Sequence, residues 1–208
     1  MPGSTTLDVA VLVFSRAPRP GRVKTRLVPR LGEWGAARLH LRLVKHALRT
    51  ACASGCGPVE LHLATKHSMF RRTKIQKGLD LGDRMLRAIA EGLRTHRTVI
   101  LIGSDCPALT VRDLRRAERL LKGGCDVVLA PAEDGGYALI AARRVSRRLF
   151  AGVPWGGATV YEETLRRLEA LGWRWRALRT LWDVDRPQDL ERLRALRFSS
   201  ATRRSARR

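Results

Sequence analysis

The stretch Val99-Ile100-Leu101-Ile102-Gly103-Ser104-Asp105-Cys106-Pro107 decides the fold of this chain. Four consecutive apolar residues predict a strand that is buried on both faces, which is typical of a parallel sheet. Asp105 follows this strand directly, and open α/β sheets bind their ligands beyond the carboxyl ends of the strands. The stretch therefore predicts an enzyme-like site in which Asp105 meets a substrate or a metal ion. A turn or cap role before Pro107 is the alternative interpretation of Asp105.

On both sides of this stretch, apolar runs alternate with segments of helical period. Strands are predicted at 9–14, 59–64, 98–104 and 127–131, with a further antiparallel or angled strand at 137–141 after the turn 133–136, and a late strand at 173–178. Helices are predicted at 35–53, 84–96, 111–121, 159–171 and 186–196. This order predicts a Rossmann-like α/β fold, in which helices flank a mostly parallel mixed sheet.

Length and composition favour one domain. The chain has 208 residues with 44% apolar content, which is enough for one sizeable core. We expect a single domain over 1–198 and a disordered basic tail over 199–208. The longest apolar runs are far below the ~18 residues of a membrane span, and the N-terminus lacks a signal-peptide pattern. We therefore expect a cytoplasmic protein without a membrane span; the residues give no indication of its oligomeric state.

The formal net charge is +22. Such a field attracts nucleic acid, anionic membranes and phosphorylated small molecules. Most of the excess is explained by arginine on solvated helix faces. Because the chain has few aromatic residues, no recognisable nucleic-acid-binding module and no patterned basic stripe, we expect no specific nucleic-acid partner. The four cysteines lack the paired spacing of a zinc site and are assigned no chemistry.

A basic loop, residues 15–27 with the sequence SRAPRPGRVKTRL, follows the first predicted strand. Loops at this place in nucleotide-binding α/β folds hold phosphates, for which arginine and lysine supply charge-assisted donors. The loop matches neither a Walker loop, because Val23 replaces the glycine before Lys24, nor a G-x-G-x-x-G loop. Taken alone, it is as compatible with a solvated surface as with a phosphate site.

Two aspartates near the C-terminus have different interpretations. Asp185 stands three residues before Gln188 and predicts a helix N-cap with a capping box. Asp183 has no such role, and together with Asp185 it forms a D-x-D cluster that could supply oxygen ligands to a divalent cation. Two threonines are predicted as helix caps by the same pattern: Thr159 with Glu162, and Thr110 with Asp113.

Six segments carry a family resemblance when they are taken together and in order. They are VLVFSRAPRPGRVKTRL (11–27), QKGLDLGDRM (76–85), VILIGSDCPAL (99–109), VVLAPAEDGGYALIA (127–141), VPW (153–155) and DVDRPQDL (183–190). The chain resembles the bacterial radical-SAM/selenodomain-associated transferases, or arsenosugar-biosynthesis-type glycosyltransferases, of the nucleotide-diphospho-sugar transferase-like superfamily. This resemblance implies a glycosyltransferase-A-type fold and a nucleotide-sugar donor.

The resemblance also implies a role for individual residues. Four would bind the nucleotide phosphates: Arg16, Lys24, Thr25 and Arg26. Four would line the base and ribose side: Gln76, Gly78, Asp83 and Arg84. Asp105 would hold the metal, with Asp183 or Asp185 as further ligands. Four would lie on the acceptor side, namely Gly135, Gly136, Tyr137 and Trp155, and Asp134 would be the general base of an inverting reaction.

The chain departs from the family pattern at two places. Asp105 stands in GSD rather than in the D-x-D of metal-dependent glycosyltransferases, and Gly156-Gly157 replace the small hydroxyl residues expected after Trp155. The leading hypothesis is a transferase in which Mg²⁺ or Mn²⁺ bridges the diphosphate of a nucleotide sugar while a small-molecule acceptor attacks.

Two alternatives stay open. The VKTRL segment is also similar to a stretch of phospholactate guanylyltransferases, so a nucleotidyltransferase that releases pyrophosphate is the first, although the L-A-A-G-x-G-x-R opening of sugar-nucleotide synthesising enzymes is absent. The second is a basic nucleic-acid-binding protein on a transferase-like core.

Overall fold

A computed structural model describes residues 7–196 of the chain. The predicted basic tail, 199–208, lies outside the described residues. The strands are β1 Leu7–Ser15, β2 Val59–Leu63, β3 Lys74–Ile75, β4 His96–Gly103, β5 Val127–Pro131, β6 Tyr137–Ala142 and β7 Trp175–Ala177. The helices are α1 Val28–Ser54, α2 Leu81–Gly92, α3 Val111–Lys122, α4 Arg147–Phe150 and α5 Val160–Ala170, followed by α6, which begins at residue 189.

The strands form one seven-stranded sheet in the order β3-β2-β1-β4-β6-β5-β7. Only β6 runs antiparallel to its neighbours, β4 and β5. β1 and β4 are parallel, and their register pairs Val13 with Ile102 and Phe14 with Gly103. Because both strands end at the same level, the basic loop after β1 and Asp105 after β4 start side by side. The predicted Rossmann-like mixed α/β fold is confirmed.

Helices cover both faces of the sheet. On one face, α1 and α3 pack on the sheet with side chains such as Val44 and Leu114, which are fully buried. On the other face, α2 and α5 bury residues that include Ile89 and Leu168. Burial of such a side chain stabilises the fold by roughly 2 kcal/mol, so the two layers hold the sheet edge in place. In the described part of the chain, no helix is both long and apolar enough to cross a membrane.

Several element boundaries differ from the predicted ones. α1 starts seven residues early, at Val28, and crosses a kink at Gly32, where φ is 67°. α2 starts at Leu81 because the Asp80 carboxylate accepts a hydrogen bond from the Asp83 amide and caps the helix. The short strand β3 was not predicted, since two residues are too few to show the alternation of apolar and polar residues that indicates a strand.

The predicted caps fare differently. Thr110 and Asp113 form the predicted capping box, in which the Asp113 carboxylate accepts from the Thr110 amide and hydroxyl. Thr159 occupies the N-cap position of α5, but its side chain makes no capping hydrogen bond. The Asp185 cap was wrong: Asp189 accepts hydrogen bonds from the amides of Asp185 and Arg186, at 2.9 and 2.6 Å. The Asp185 carboxylate is therefore free for another role.

Candidate functional site

The basic loop delivers a buried lysine to the end of β4. Lys24 has φ 49° and ψ 43°, the one positive φ among the non-glycine residues that the structure describes. Only 4% of its side chain is exposed, and its Nζ lies 2.8 Å from Asp105 Oδ2. A left-handed backbone costs a lysine energy, so the surrounding structure must enforce it. This is the first sign that the loop is built around the Lys24–Asp105 ion pair.

Asp105 receives two further contacts. Ser104 Oγ donates to its Oδ1 at 3.2 Å, and His40 Nδ1 lies 3.5 Å from the same oxygen. Desolvation in the cleft would raise the pKa of Asp105, but the contact with the His40 imidazole and the Lys24 charge outweigh it and hold that pKa well below its ordinary value. With 43% of its side chain exposed, Asp105 is an ionised carboxylate that can still reach a ligand.

His40 joins the elements around this carboxylate. It lies on α1 and is almost fully buried. Its Nε2 is 3.0 Å from the Arg16 carbonyl oxygen and 3.1 Å from Ser15 Oγ. Ser104 Oγ also lies 2.9 Å from Ser15 Oγ, which closes a network between the ends of β1 and β4. Sequence reasoning missed this network, because His40 sits on an otherwise ordinary amphipathic helix.

The cleft beside Asp105 has a volume of about 550 Å³. Its lining includes eight residues named from the sequence: Arg16, Lys24, Thr25, Arg26, Gln76, Arg84, Asp105 and Asp185. Arg26 forms an ion pair with Asp185 across the cleft. The cleft therefore combines a basic wall from the loop after β1, whose side chains can donate charge-assisted hydrogen bonds, with carboxylates from two later segments.

Gln76 and Arg84 form the wall opposite Asp105. Gln76 Nε2 donates to the carbonyls of Ser15 and His62, at 3.1 and 2.9 Å, which fixes it between β1 and β2. Arg84 Nε donates to the Gly78 carbonyl at 3.3 Å. This wall keeps one amide and one guanidinium at the cleft surface.

Gly78 and Asp83, predicted at the base and ribose side, are not among the cleft-lining residues. The Asp83 carboxylate accepts from the Leu79 amide and pairs with Arg87 at 3.0 Å. These contacts hold the pKa of Asp83 below its ordinary value. Gly78 and Asp83 thus shape the turn before α2 rather than the cleft surface.

Asp183 does not line the cleft and lies among other carboxylates. Burial raises its pKa to about 6, and the charges of Asp134 and Asp185 act in the same direction, while Lys24 opposes them. The Val184 amide donates to the Asp105 carbonyl at 2.9 Å, so Asp183 and Asp105 stand on segments that are joined by their backbones. No group of three or more His, Cys, Asp or Glu side chains within 7–196 is arranged to hold a metal on its own.

Asp134 stands in the turn between β5 and β6. Its Oδ1 accepts from the Gly136 amide at 2.9 Å. Gly135 has φ 86°, and a Cβ there would meet the Ala158 carbonyl oxygen at 1.9 Å, so only glycine fits. The turn is therefore rigidly placed beside the segment of Asp183.

Two of the predicted acceptor-side residues are largely packing residues. The Tyr137 hydroxyl is buried, and this burial raises its pKa. Trp155 contacts Tyr137 edge-on at 6.4 Å between ring centroids and stacks on Phe150 at 6.2 Å. A Cβ at Gly82 would lie 2.4 Å from Trp155 Nε1, so the indole is pressed against α2. Tyr137 was predicted on the acceptor side; its hydroxyl is buried and its ring packs on the hydrophobic layer that contains Phe150 and Trp155.

Comparisons with known proteins agree with this geometry. The profile of a family described as "Uncharacterized protein conserved in bacteria" (DUF2064) matches residues 39–157. No curated protein matches the chain. Among solved structures, a candidate nucleotide-diphospho-sugar transferase from Desulfovibrio desulfuricans G20 is 29% identical, with a TM-score of 0.80 over 86% of this chain and 83% of that one.

More distant structures share the fold. A CMP:2-keto-3-deoxy-manno-octonic acid synthetase complexed with CTP is 14% identical, with a TM-score of 0.58 over 93% of this chain and 99% of that one. Rv0371c from Mycobacterium tuberculosis H37Rv, complexed with manganese, is 18% identical, with a TM-score of 0.52 over 89% and 97%. At such identities the similarity establishes the fold alone.

Proposed function

The chain belongs to DUF2064, a family of uncharacterized bacterial proteins, and from this premise and the cleft geometry we propose a transferase that uses a nucleotide-diphosphate sugar with the help of a divalent cation. The observation that carries the proposal is the 2.8 Å contact between buried Lys24 and Asp105 at the carboxyl end of β4. It places a cation and a carboxylate together where a parallel sheet binds nucleotides. The similarity to the Desulfovibrio protein supports the donor class.

In this proposal, the loop after β1 and the start of α2 bind the diphosphate. Arg16, Arg26 and Arg84 line the cleft, and each guanidinium can donate two hydrogen bonds to phosphate oxygens. Lys24 supplies a further donor from the floor of the cleft. Gln76 would contact the nucleoside, since it also lines the cleft.

The carboxylates fit Mg²⁺ or Mn²⁺ by donor type, since both cations prefer oxygen ligands. Asp105 would hold the ion together with Asp183 or Asp185, and the ion would then compete with Lys24 for Asp105 and with Arg26 for Asp185. Magnesium in nucleotide enzymes is typically bound by one or two carboxylates together with substrate phosphates, so a larger protein cluster is not required. The bound ion would offset negative charge on the departing diphosphate.

Asp134 is the proposed general base. It is exposed in the turn between β5 and β6, and its charge contributes to the raised pKa of Asp183, so it would act near the carboxylates proposed to hold the ion. Asp183 is the alternative candidate for the general base, because its pKa is raised. In this proposal it binds the cation instead. The acceptor would enter along the turn of Gly135 and Gly136.

The proposal is tested by turnover of UDP-, GDP-, CDP- and ADP-sugars with and without Mn²⁺. We expect metal-dependent release of one nucleoside diphosphate by the wild type, and a loss of about 100-fold or more in Asp105→Ala. Asp8→Ala is the matched control, because this exposed carboxylate lies at the opposite end of the sheet, on β1. Equal release by the Asp105 and Asp8 variants would contradict the assigned site.

A nucleotidyltransferase is the second candidate function. The shared fold of the CMP:2-keto-3-deoxy-manno-octonic acid synthetase favours it, since that protein was solved with a nucleoside triphosphate. In that reaction the α-phosphorus is attacked and pyrophosphate leaves. Pyrophosphate release from a triphosphate, without diphosphate release from any nucleotide sugar, would replace the leading proposal with this one.

A further inference from the structure

A second cavity, of about 1020 Å³, lies on the outer side of α3. Its lining residues are all different from those of the Asp105 cleft. Five arginines line it: Arg112, Arg115, Arg116 and Arg119 of α3, and Arg179 after β7. The end of α1 closes one side with Ser54 and Gly55. We refer to this feature as the α3 arginine cavity.

The acidic residues of the cavity are already paired. Asp113 accepts from Arg179, with Nη2 to Oδ2 at 2.9 Å, and Glu118 pairs with Lys122 at 2.8 Å. Lys122 is not part of the lining. Among the described residues, Arg112, Arg116 and Arg119 have no acidic partner within ion-pair distance. The cavity therefore keeps a positive charge that the protein does not neutralise.

One guanidinium of the cavity is held in a fixed place. Arg179 donates to both Asp113 oxygens, at 3.1 and 2.9 Å, and to the Ala108 carbonyl at 2.7 Å. Asp113 is itself buried and also accepts from Thr110. A guanidinium that is anchored by a buried carboxylate loses little conformational entropy when it binds a ligand, so Arg179 is preorganised for binding.

Arg115 is anchored on the other side of the cavity. Its Nε donates to the Ser54 carbonyl at 2.8 Å, at the last turn of α1. The two anchored arginines, Arg115 and Arg179, thus come from different directions, and the three unpaired ones stand between Thr110 and the end of α3. The cavity is assembled from three parts of the chain, which distinguishes it from a run of charge on one helix.

Spacing along α3 groups the unpaired arginines. Arg112, Arg116 and Arg119 are separated by four and three residues, so they share one helix face over about 10 Å. Like charges at this spacing destabilise a helix, and an anion that contacts several of them relieves the repulsion. These arginines are exposed, as the sequence predicted, but their spacing forms a stripe that the sequence analysis did not note, and the fold places it beside Arg115 and Arg179.

We propose that the α3 arginine cavity binds an anion that carries several phosphate groups. Phosphate is favoured because arginine binds it through paired, charge-assisted hydrogen bonds. The same chemistry is offered by a small polyphosphorylated molecule and by a nucleic-acid backbone. This inference does not depend on the proposed transferase activity, because the two cavities share no residue.

The test compares two triple variants of equal charge. The first is Arg112→Gln/Arg116→Gln/Arg119→Gln. The control is Arg71→Gln/Arg72→Gln/Arg94→Gln, which removes three exposed arginines that do not line the cavity. Binding of sodium tripolyphosphate is measured by calorimetry, and binding of a short fluorescein-labelled single-stranded DNA by anisotropy, at low and at physiological salt. Both variants keep the Asp105 cleft, so any phosphate bound there contributes equally.

We expect the cavity variant to lose about tenfold or more in affinity for at least one probe, and the control variant about twofold. Loss for tripolyphosphate alone identifies a small polyphosphorylated ligand. Loss for DNA, with a salt dependence shallower by about two in logarithmic slope, identifies a nucleic-acid backbone. Equal losses in the two variants, or no binding of either probe by the wild type at low salt, would overturn the proposal.

Discussion

Replacing Asp183 with asparagine should stabilise the metal-free protein at neutral pH. In the wild type, burial raises the pKa of Asp183 to about 6, with Asp134 and Asp185 adding negative charge nearby. The folded state therefore holds the proton more tightly than the unfolded chain, whose carboxyl has the ordinary value of 3.8. Above pH 6 the wild type carries an ionised carboxylate in an unfavourable place, and asparagine removes that charge.

The magnitude follows from the difference between the two pKa values. A difference of roughly two units corresponds to ~3 kcal/mol, and partial exposure of the side chain reduces this to ~1.5 kcal/mol. In a chain of this length, that is a gain of about 3–6 °C in Tm. The advantage of the variant depends on pH. Because the folded wild type binds the proton more tightly than the unfolded chain, its stability relative to the variant rises as the pH falls from about 6 towards 3.8.

Urea unfolding of both proteins with a chelator present, at several pH values between 4 and 8, measures this difference. Glu169→Gln serves as the control, since Glu169 is exposed and makes no described ion pair, so it should give a flat difference. If Asp183→Asn is no more stable than the wild type at pH 8, or if its advantage persists unchanged at pH 4, the electrostatic reasoning is refuted.

Three further predictions concern single residues. Gly135→Ala should lower the free energy of unfolding in urea by ~3 kcal/mol, because its Cβ would overlap the Ala158 carbonyl. Gly156 has the same φ of 86° but open space around it, so Gly156→Ala should lower that free energy by only ~1 kcal/mol. Equal losses would contradict the steric argument. Lys24→Met should destabilise by ~2 kcal/mol, because Asp105 loses its 2.8 Å partner; an unchanged urea midpoint would show that the pair does not stabilise the loop. Arg192→Ala removes a bidentate ion pair with Glu133, at 2.6 and 2.9 Å, and a cation–π contact with Trp182, at 4.6 Å. Because Glu133 and Trp182 are the chain neighbours of Asp134 and Asp183, donor turnover should fall by about tenfold with an unchanged Tm. Full turnover by the variant would show that Arg192 does not position these aspartates.

Much of the fold was readable from the sequence, because buried strands and amphipathic helices leave clear periods. The strand at 127–131 was predicted residue for residue, and the antiparallel return of β6 followed from the turn before it. Boundaries that depend on one side-chain hydrogen bond were not readable. The sequence predicted Asp185 as a cap through Gln188, whereas in the folded chain the Asp189 carboxylate accepts from the amides of Asp185 and Arg186.

The candidate site was predicted unevenly for a related reason. Asp105 follows a predicted strand and Lys24 stands in the basic loop, so their place at the sheet edge follows from topology, whereas Gln76 was named only by the family resemblance and follows the unpredicted β3. His40 contacts Asp105 only because α1 packs across the sheet edge, and no local pattern records that contact. Conversely, Asp83 and Tyr137 lie in the motif segments, but the Asp83 carboxylate binds the backbone amide of Leu79 and the Tyr137 ring packs on Trp155. A motif fixes which segment comes to the site, not which side chain faces the ligand.

The most direct test of the central claim is nucleotide binding by thermal unfolding, with UDP, GDP, CDP, ADP and their triphosphates, each with and without Mn²⁺. A ligand at about a hundred times its Kd should stabilise by roughly 2.7 kcal/mol, which is a shift of several degrees. We predict such a shift for one nucleotide, only with Mn²⁺, and its loss in Asp105→Ala. No metal-dependent shift with any nucleotide, or an undiminished shift in Asp105→Ala, would contradict the assignment of this cleft.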